Sequence, residues 1–180
     1  MRGKSIASAG RCGAIKCNDF HADLRYSLEN RDDETLNAFY KKAFPLSTRV
    51  EFCEDLALQK KGIDKIVHFE NGNTVTVDEK KRRKDYGDIL LELRSNKERN
   101  TPGWLFYSQC DYIVYAVLPA GVVYLLPVLL LQMAWKSNGG TWQKQFPVKL
   151  ADNQLYHTEN IAIPTGVLLN AISLEMKKQA

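Results

Sequence analysis

The stretch ENGNTVTVDEKKRRKDYG, residues 70–87, decides the fold because it begins as a β-hairpin and ends in a run of charged residues. The pair Asn71-Gly72 is a turn signal, and the alternating Thr and Val after it predict a strand over residues 74–80. The apolar residues before the turn predict a partner strand over residues 63–69. The charged end of this hairpin is either a solvated rim or a functional site, and the strand register decides which side chains meet there.

Two turn geometries give two registers. A two-residue turn at Asn71-Gly72 would mix apolar and polar residues on both faces of the hairpin. A three-residue loop over residues 71–73 would instead place Phe69 and the valines on one apolar face. Register follows the buried face, so we predict the three-residue loop, with Asp64 opposite Lys80 and Glu79 pointing away. The polar face then carries three charged residues: Asp64, Asp78 and Lys80.

This set of side chains suits metal-assisted hydrolysis of a phosphodiester. Two neighbouring carboxylates repel each other unless a cation joins them, and oxygen ligands suit Mg²⁺. A bound Mg²⁺ polarises a phosphoryl oxygen and activates a water molecule. A lysine beside it can stabilise charge on the pentacovalent phosphate or orient the attacking water.

The sequence Gly62-Ile63-Asp64, followed by a hairpin and Asp78-Glu79-Lys80, resembles the core motif of the PD-(D/E)XK nuclease superfamily, the restriction-endonuclease-like fold. The resemblance covers residues 47–120 and implies an α-β-β-β-α-β core around a central mixed sheet, with extra N- and C-terminal elements. It implies Asp64 and Asp78 as metal ligands, Lys80 as the catalytic lysine, and DNA hydrolysis with Mg²⁺, for which Mn²⁺ would substitute. The chain departs from the motif at two positions, where Ile63 replaces proline and Asp78 replaces the commoner glutamate.

Many members of the superfamily add an acid from the helix before the hairpin. The sequence TRVEFCEDLALQKK predicts such a helix over residues 48–61, capped by Ser47 or Thr48 and ended by Gly62. Its acids are Glu51, Glu54 and Asp55, and the sequence does not choose among them. Glu54 and Asp55 are the candidate metal ligands, and Glu54 is also a candidate catalytic acid.

Several polar residues around the motif are candidate DNA contacts. The basic residues 81–84, which directly follow the motif, form either a solvated loop or a rim that contacts phosphates. The net charge of +4 is compatible with a polyanionic partner and does not by itself establish one. Glu92, in DILLELR, is an outer acid of the site or an exposed strand position, and we favour the second. The predicted nucleic-acid contacts are Lys60, Lys81, Arg82, Arg83, Lys84 and Gln109.

The rest of the chain predicts a single mixed α/β domain, residues 1–180. We expect an irregular arm over residues 1–30, a helix over 34–44, the third strand of a meander over 88–94, and a C-terminal elaboration over 121–180 that closes with a helix. The segment 112–135 has no charged residue and is long enough to span a bilayer. Its Pro119-Ala120-Gly121 turn favours strand, turn, strand and helix over a membrane span.

The cysteines and the N-terminus indicate a reducing, cytoplasmic setting. Four cysteines in 180 residues are not a secreted disulfide framework, and the first residues lack the apolar run of a signal peptide. Cys12, Cys17 and His21 lack a fourth ligand and fit no zinc spacing. We therefore expect a small nuclease of the bacterial or phage type that acts on DNA, and a homodimer formed through segment 112–135 is possible. The alternative is a catalytically inactive nucleic-acid-binding or protein-interaction module on the same fold.

Overall fold

A computed structural model describes residues 25–26, 29–30, 33–153 and 155–179. From residue 33 onward the described residues form two β-sheets and five α-helices, the mixed α/β class that the sequence predicts. Of the arm predicted as irregular, the described part is Arg25, Tyr26, Glu29 and Asn30, and the first three of these are helical. Cys12, Cys17 and His21 lie outside the described residues.

Helix α1 spans Glu34–Ala43 and confirms the first predicted helix. Asp33 caps it, because its Oδ1 accepts hydrogen bonds from the backbone N–H groups of Thr35 and Leu36, at 2.8 and 3.3 Å. The buried side chains of α1 are Leu36 and Tyr40. They pack on one face of the larger sheet, where Val67, Val77 and Val114 complete the cluster.

The prediction of one helix over residues 48–61 is wrong. Residues Ser47–Phe52 form strand β1, and only Leu56–Gln59 form a helix, α2. Polar and apolar residues alternate only over residues 49–52, and the segment pairs with the following strand, Val50 opposite Val67. Pairing with the neighbouring strand therefore prevails over the predicted helix, and the three candidate acids do not share a helix.

The larger sheet has five strands in the order β1-β2-β3-β6-β7. Strand β3 is parallel to β6, and every other neighbouring pair in this sheet is antiparallel. The sheet extends beyond the core boundary predicted at residue 120. The strands after β1 are β2 (Lys65–Phe69), β3 (Thr74–Arg82), β6 (Tyr112–Val117) and β7 (Val122–Pro127).

The β2–β3 hairpin has a three-residue loop, as predicted, but the loop comprises residues 70–72 and not 71–73. Val67 pairs with Val75, and the Phe69 N–H donates to the Asn73 carbonyl at 3.0 Å. Gly72 takes the left-handed conformation that this loop requires, with φ of 80°.

The register therefore differs from the prediction by two residues. A shift of two leaves every side chain on its predicted face, because side chains alternate with period two. It changes the partner of Asp64, whose backbone N–H donates to the Val77 carbonyl at 2.8 Å. Asp64 consequently lies level with Asp78 and not with Lys80.

The strand predicted as the third of the meander forms, but it joins a different sheet. Strand β4 spans Asp88–Asn96 and belongs to a four-stranded antiparallel sheet in the order β5-β4-β9-β8. The meander is instead β1-β2-β3. The partner of β4 is the C-terminal strand β9, whose Ile163 and Ile161 pair with Ile89 and Leu91. The other strands are β5 (Thr101–Pro102), β8 (Val148–Asp152) and β9 (His157–Pro164).

The uncharged segment 112–135 folds as predicted. It forms β6, a 3₁₀ turn over Leu118–Ala120, β7, and the start of helix α4, Val128–Gln145. Among the residues that the structure describes, no helix is long and apolar enough to cross a membrane. The homodimer face predicted on this segment stays a prediction.

Two helices and the second sheet cover the other face of the five-stranded sheet. Helix α5, Thr165–Gln179, confirms the predicted C-terminal helix and packs beside α4. A short helix, α3 (Trp104–Tyr107), lies between β5 and β6 along the chain. The core here joins both sheets to α3, α4 and α5, through residues that include Leu91, Leu105, Ile113, Leu131, Ile161 and Leu168.

Candidate active site

Asp64 and Asp78 come together where β2 begins beside the middle of β3. Asp78 is only 1% exposed. Asp64 precedes β2, and its Oδ2 accepts a hydrogen bond of 2.9 Å from the backbone N–H of Glu79. The Asp64 carboxylate therefore lies against the backbone of β3 next to Asp78.

Lys80 and Ser108 hold the two oxygens of the Asp78 carboxylate. The Lys80 Nζ lies 2.7 Å from Oδ1, and the Ser108 hydroxyl donates to Oδ2 at 3.3 Å. The Lys80 side chain is 27% exposed, so its ammonium reaches from the buried carboxylate to solvent. This gives one end of the site a proton donor and a positive charge that a ligand can approach.

The pKa values of Asp78 and Lys80 reflect a buried carboxylate that lies between a second carboxylate and a lysine. Burial raises the pKa of Asp78 to about 6, against the lowering effect of Lys80, and Asp64 raises it further by its charge and a hydrogen bond. Burial alone would lower the pKa of Lys80, but the charge and hydrogen bond of Asp78, with Asp64 behind it, raise it overall. Lys80 therefore stays protonated, and a cation at the two carboxylates would relieve their repulsion.

Gly62 allows the chain to pass close to this pair. Its φ of +73° lies in the left-handed region. A Cβ at this position would lie 2.8 Å from the Ser108 Oγ and 3.2 Å from the Asp78 Oδ2. The residue that ends the α2 turn is therefore also a wall of the site, which only glycine can form without displacing Ser108.

Glu92 lies close enough to Lys80 for the lysine charge to act on it. Burial raises the pKa of Glu92, while the hydrogen bond from the Trp104 backbone and the charge of Lys80 lower it. That hydrogen bond joins the Trp104 N–H to Glu92 Oε1 at 3.1 Å. Gly103 makes it possible, because a Cβ there would lie 2.2 Å from the Glu92 carbonyl oxygen. Glu92 is thus a half-buried acid beside the site, and not the exposed strand position that its sequence favours.

Glu79 points to the opposite face of β3, as predicted, and lies in a closed cluster. Its Oε1 accepts from the Tyr40 hydroxyl at 2.8 Å and lies 2.9 Å from the Lys65 Nζ. Its Oε2 lies 2.9 Å from the Lys81 Nζ. The Lys81 side chain is only 5% exposed, so the structure does not support the prediction that it contacts DNA.

The other basic residues of the run lie beside a cleft. Arg82 donates to the backbone carbonyl of Asp88 at 2.9 Å and also pairs with its carboxylate. Arg83 and Lys84 are exposed, and the Lys84 Nζ lies 5.1 Å from the centre of the Tyr86 ring. These contacts keep the positive charges near the end of β3, at the mouth of the cleft.

The cleft lies between the end of β3, helix α3 and the second sheet. Its volume is about 710 Å³. Odd-numbered residues of β4, such as Leu91, face the core, whereas Leu90 and Glu92 line the cleft. The site therefore opens onto this cleft, whose lining includes Lys80, Lys84, Glu92, Trp104, Tyr107 and Asn160.

The three acids predicted for a preceding helix do not join the site. Asp55 caps α2, with its Oδ1 accepting from the Ala57 and Leu58 N–H groups at 2.7 and 3.3 Å. Glu51 pairs with Arg49 and His68 on the sheet edge. Glu54 is exposed in the loop after β1. The prediction of a helix acid is corrected because residues 47–52 form a strand.

Lys60 and Gln109, the outlying candidates, are both exposed. Lys60 is the C-cap of α2, and the Gln109 N–H donates to the Lys61 carbonyl at 2.9 Å. The residue that reaches Asp78 is Ser108, one position before Gln109. No sequence pattern marks Ser108, because its position depends on how α3 returns to β6.

The donor set fits a magnesium ion only in part. Within the described residues, no three His, Cys, Asp or Glu side chains are arranged to hold a metal ion. Asp64 and Asp78 supply two carboxylates, and Mg²⁺ commonly binds through one or two carboxylates with waters and substrate phosphates completing its shell. The two carboxylates are therefore a chemically suitable but incomplete set of ligands. No protein-family model, curated protein or solved structure matches the chain.

Proposed function

We propose that the protein is a metal-dependent nuclease that hydrolyses phosphodiester bonds of DNA. The observation that carries this proposal is the meeting of Asp64, Asp78 and Lys80 at the edge of a cleft rimmed by basic residues. A buried carboxylate beside a second, partly buried one is costly to maintain as a purely structural feature, even with a lysine at one end. Their arrangement suits a site that binds a cation and an anionic substrate together.

Each residue has a defined task in this proposal. Asp64 and Asp78 would hold Mg²⁺ or Mn²⁺, which when bound polarises the phosphoryl group and lowers the pKa of a water. Lys80, held by Asp78, would donate hydrogen bonds to the phosphate as negative charge develops on it. Ser108 fixes the second oxygen of Asp78 and thereby the direction of the carboxylate.

The order of elements also supports the proposal. The chain runs α1, β1, α2, β2, β3, β4, β5, α3 and β6, so the α-β-β-β-α-β order implied by the resemblance requires the short helix α2 and the strands β4 and β5 to be counted as insertions. Strands β4 and β5 are insertions before α3, and they contribute to the second sheet. Asp64 directly precedes the second strand of this order, and Asp78 and Lys80 lie on the third. This likeness concerns element order and motif position, and it supports the chemistry only through the residues themselves.

Cleavage of supercoiled plasmid tests the proposal directly. We expect the wild type to nick or linearise the plasmid with Mg²⁺ or Mn²⁺ and not with EDTA, and Lys80→Ala to lose this activity. Lys177→Ala, which removes an exposed lysine of α5, is the matched control and should cut normally. Absence of cutting with either metal, together with retained DNA binding, would contradict the nuclease and support the inactive binding module.

A further inference from the structure

Asn160 is a buried polar side chain that the proposed chemistry does not use. It is only 8% exposed and lines the cleft. Within the described part of the chain its amide makes no hydrogen bond, and no side-chain polar atom there is both closed to solvent and unpaired, so the amide reaches the solvent of the cleft. It lies on β9 directly between Glu92 of β4 and Lys149 of β8 in the sheet. An amide left open at the floor of a cleft can donate to and accept from a ligand at once.

Aromatic rings and positive charges surround the same chamber. Tyr86 is 59% exposed and Tyr107 is 38% exposed, and both line the cleft. The Nζ atoms of Lys84 and Lys149 lie 5.1 and 5.9 Å from the centre of the Tyr86 ring. The chamber thus combines flat apolar surfaces for stacking with cations, the combination by which proteins hold single-stranded nucleic acid.

The size of the cleft restricts what can enter it. Its volume of about 710 Å³ lies within the range of about 300–1,000 Å³ that is typical of pockets for small molecules. Such a chamber accommodates one or two nucleotides and is too small for a double helix. Base edges are free to meet an amide only when they are unpaired or splayed out of a stack.

We propose that this cleft takes unpaired nucleotides of the substrate, so that the preferred DNA carries a single-stranded end, flap or gap. The base would stack near Tyr86 and Tyr107 and meet the Asn160 amide, while its phosphate lies toward Lys80. This inference rests on the proposed nuclease function for its orientation, since Lys80 joins the cleft to Asp78. It adds a substrate class that the motif itself does not define.

Binding without cleavage tests this inference separately from the nuclease function. Fluorescence anisotropy in EDTA would compare three labelled DNAs at one salt concentration: a single strand, a blunt duplex, and a duplex with a single-stranded overhang. The proteins are the wild type, Asn160→Ala, Tyr86→Ala and Tyr86→Phe. Asn170→Ala, which removes an exposed amide on α5, is the matched control.

We expect the single strand and the overhang to bind at least about tenfold more tightly than the blunt duplex. Tyr86→Ala should reduce that advantage by about 5- to 100-fold, as loss of a stacking platform does. Tyr86→Phe and Asn170→Ala should keep it, and Asn160→Ala should weaken it. Equal binding of the blunt duplex, or an advantage that both alanine variants in the cleft retain, would overturn the inference. Plasmid cleavage by the wild type reports on the nuclease function whichever result is found.

Discussion

The two faces of β3 carry two charge clusters built from consecutive residues. On one face Glu79 is enclosed by Lys65, Lys81 and the Tyr40 hydroxyl. On the other face Asp78 lies beside a second carboxylate, and its lysine extends into a cleft. The first cluster pairs opposite charges and is closed to solvent. The second places like charges together and leaves its cation reachable, which is an arrangement suited to a ligand.

This difference shows that consecutive charged residues on a strand can belong to two separate clusters. Because the faces alternate, neighbouring members of the DEKKR sequence belong to separate environments. The cluster around Glu79 supports α1 on the sheet, since Tyr40 is a residue of that helix. The cluster around Asp78 is where we expect chemistry. Variants of the Glu79 cluster should therefore lower stability more than activity. Variants of the Asp78 cluster should lower activity more than stability.

The largest expected effect is on stability, from Glu79→Gln. Removing this carboxylate leaves two buried lysines without it and should lower the free energy of unfolding by about 3–5 kcal/mol. Urea denaturation monitored by circular dichroism measures the change. Glu51→Gln, which breaks partly exposed pairs on β1, is the control and should cost at most about 1 kcal/mol. Equal losses in the two variants would mean that the Glu79 cluster is not a structural centre.

The second largest effect is on catalysis, from Lys80→Ala. Loss of a group that stabilises developing charge typically costs about 10²–10³-fold in rate. We expect this loss in the rate of plasmid cleavage, with folding retained because the Lys80 side chain is partly exposed. The comparison fails if Lys81→Met, on the other face, reduces the cleavage rate of the folded protein as strongly as Lys80→Ala.

Much of this division was predictable, because face alternation depends only on sequence parity. The apolar pattern of β2 and β3 predicts the three-residue loop, the shared face of Asp64, Asp78 and Lys80, and the direction of Glu79 to the opposite face. The exact partner of Asp64 was not predictable, since a shift of two residues keeps the same faces.

The wrong predictions involve competition between distant segments. Local periodicity predicts a helix for the acids of residues 48–61, because it contains no information about the pairing of β1 with β2. In the same way β4 leaves the meander because β9, far along the chain, pairs with it. Ser108 and Asn160 could not be predicted as site residues, because the packing of α3 and of the second sheet brings them to the site and the cleft.

Metal binding should stabilise the protein through the Asp78 face alone. A ligand present at 100 times its dissociation constant raises the free energy of unfolding by about 2.7 kcal/mol. For a chain of this size that corresponds to a rise in Tm of about 5–10 °C. We expect this rise with Mn²⁺ or Mg²⁺ in the wild type and not in Asp64→Asn. An equal rise in both proteins would place the metal elsewhere.

A smaller effect should appear as a pH dependence of stability without metal. Burial first, and Asp64 next, raise the pKa of Asp78 to about 6, from 3.8 in the unfolded chain, while Lys80 opposes them. The folded state therefore binds the proton more tightly. Its stabilising contribution is fully present below pH 3.8 and is lost as pH rises through 6. The slope is at most about 1.4 kcal/mol per pH unit. Urea titrations at pH 4 to 7 should show this slope in the wild type and not in Asp78→Asn.

The smallest expected effect concerns Lys84, an exposed residue at the mouth of the cleft. If it contacts a phosphate, Lys84→Ala should weaken binding of all DNA sequences alike and reduce the slope of log affinity against log salt by about 1. Lys60→Ala provides the comparison on the far side of Asp64, where an exposed lysine lies outside the cleft lining. Anisotropy titrations across a range of salt concentrations measure both slopes. A larger change of this slope in Lys60→Ala than in Lys84→Ala would indicate that DNA binds beside α2 and not at the cleft. In that case the open arrangement around Asp78 would be approached from the opposite direction.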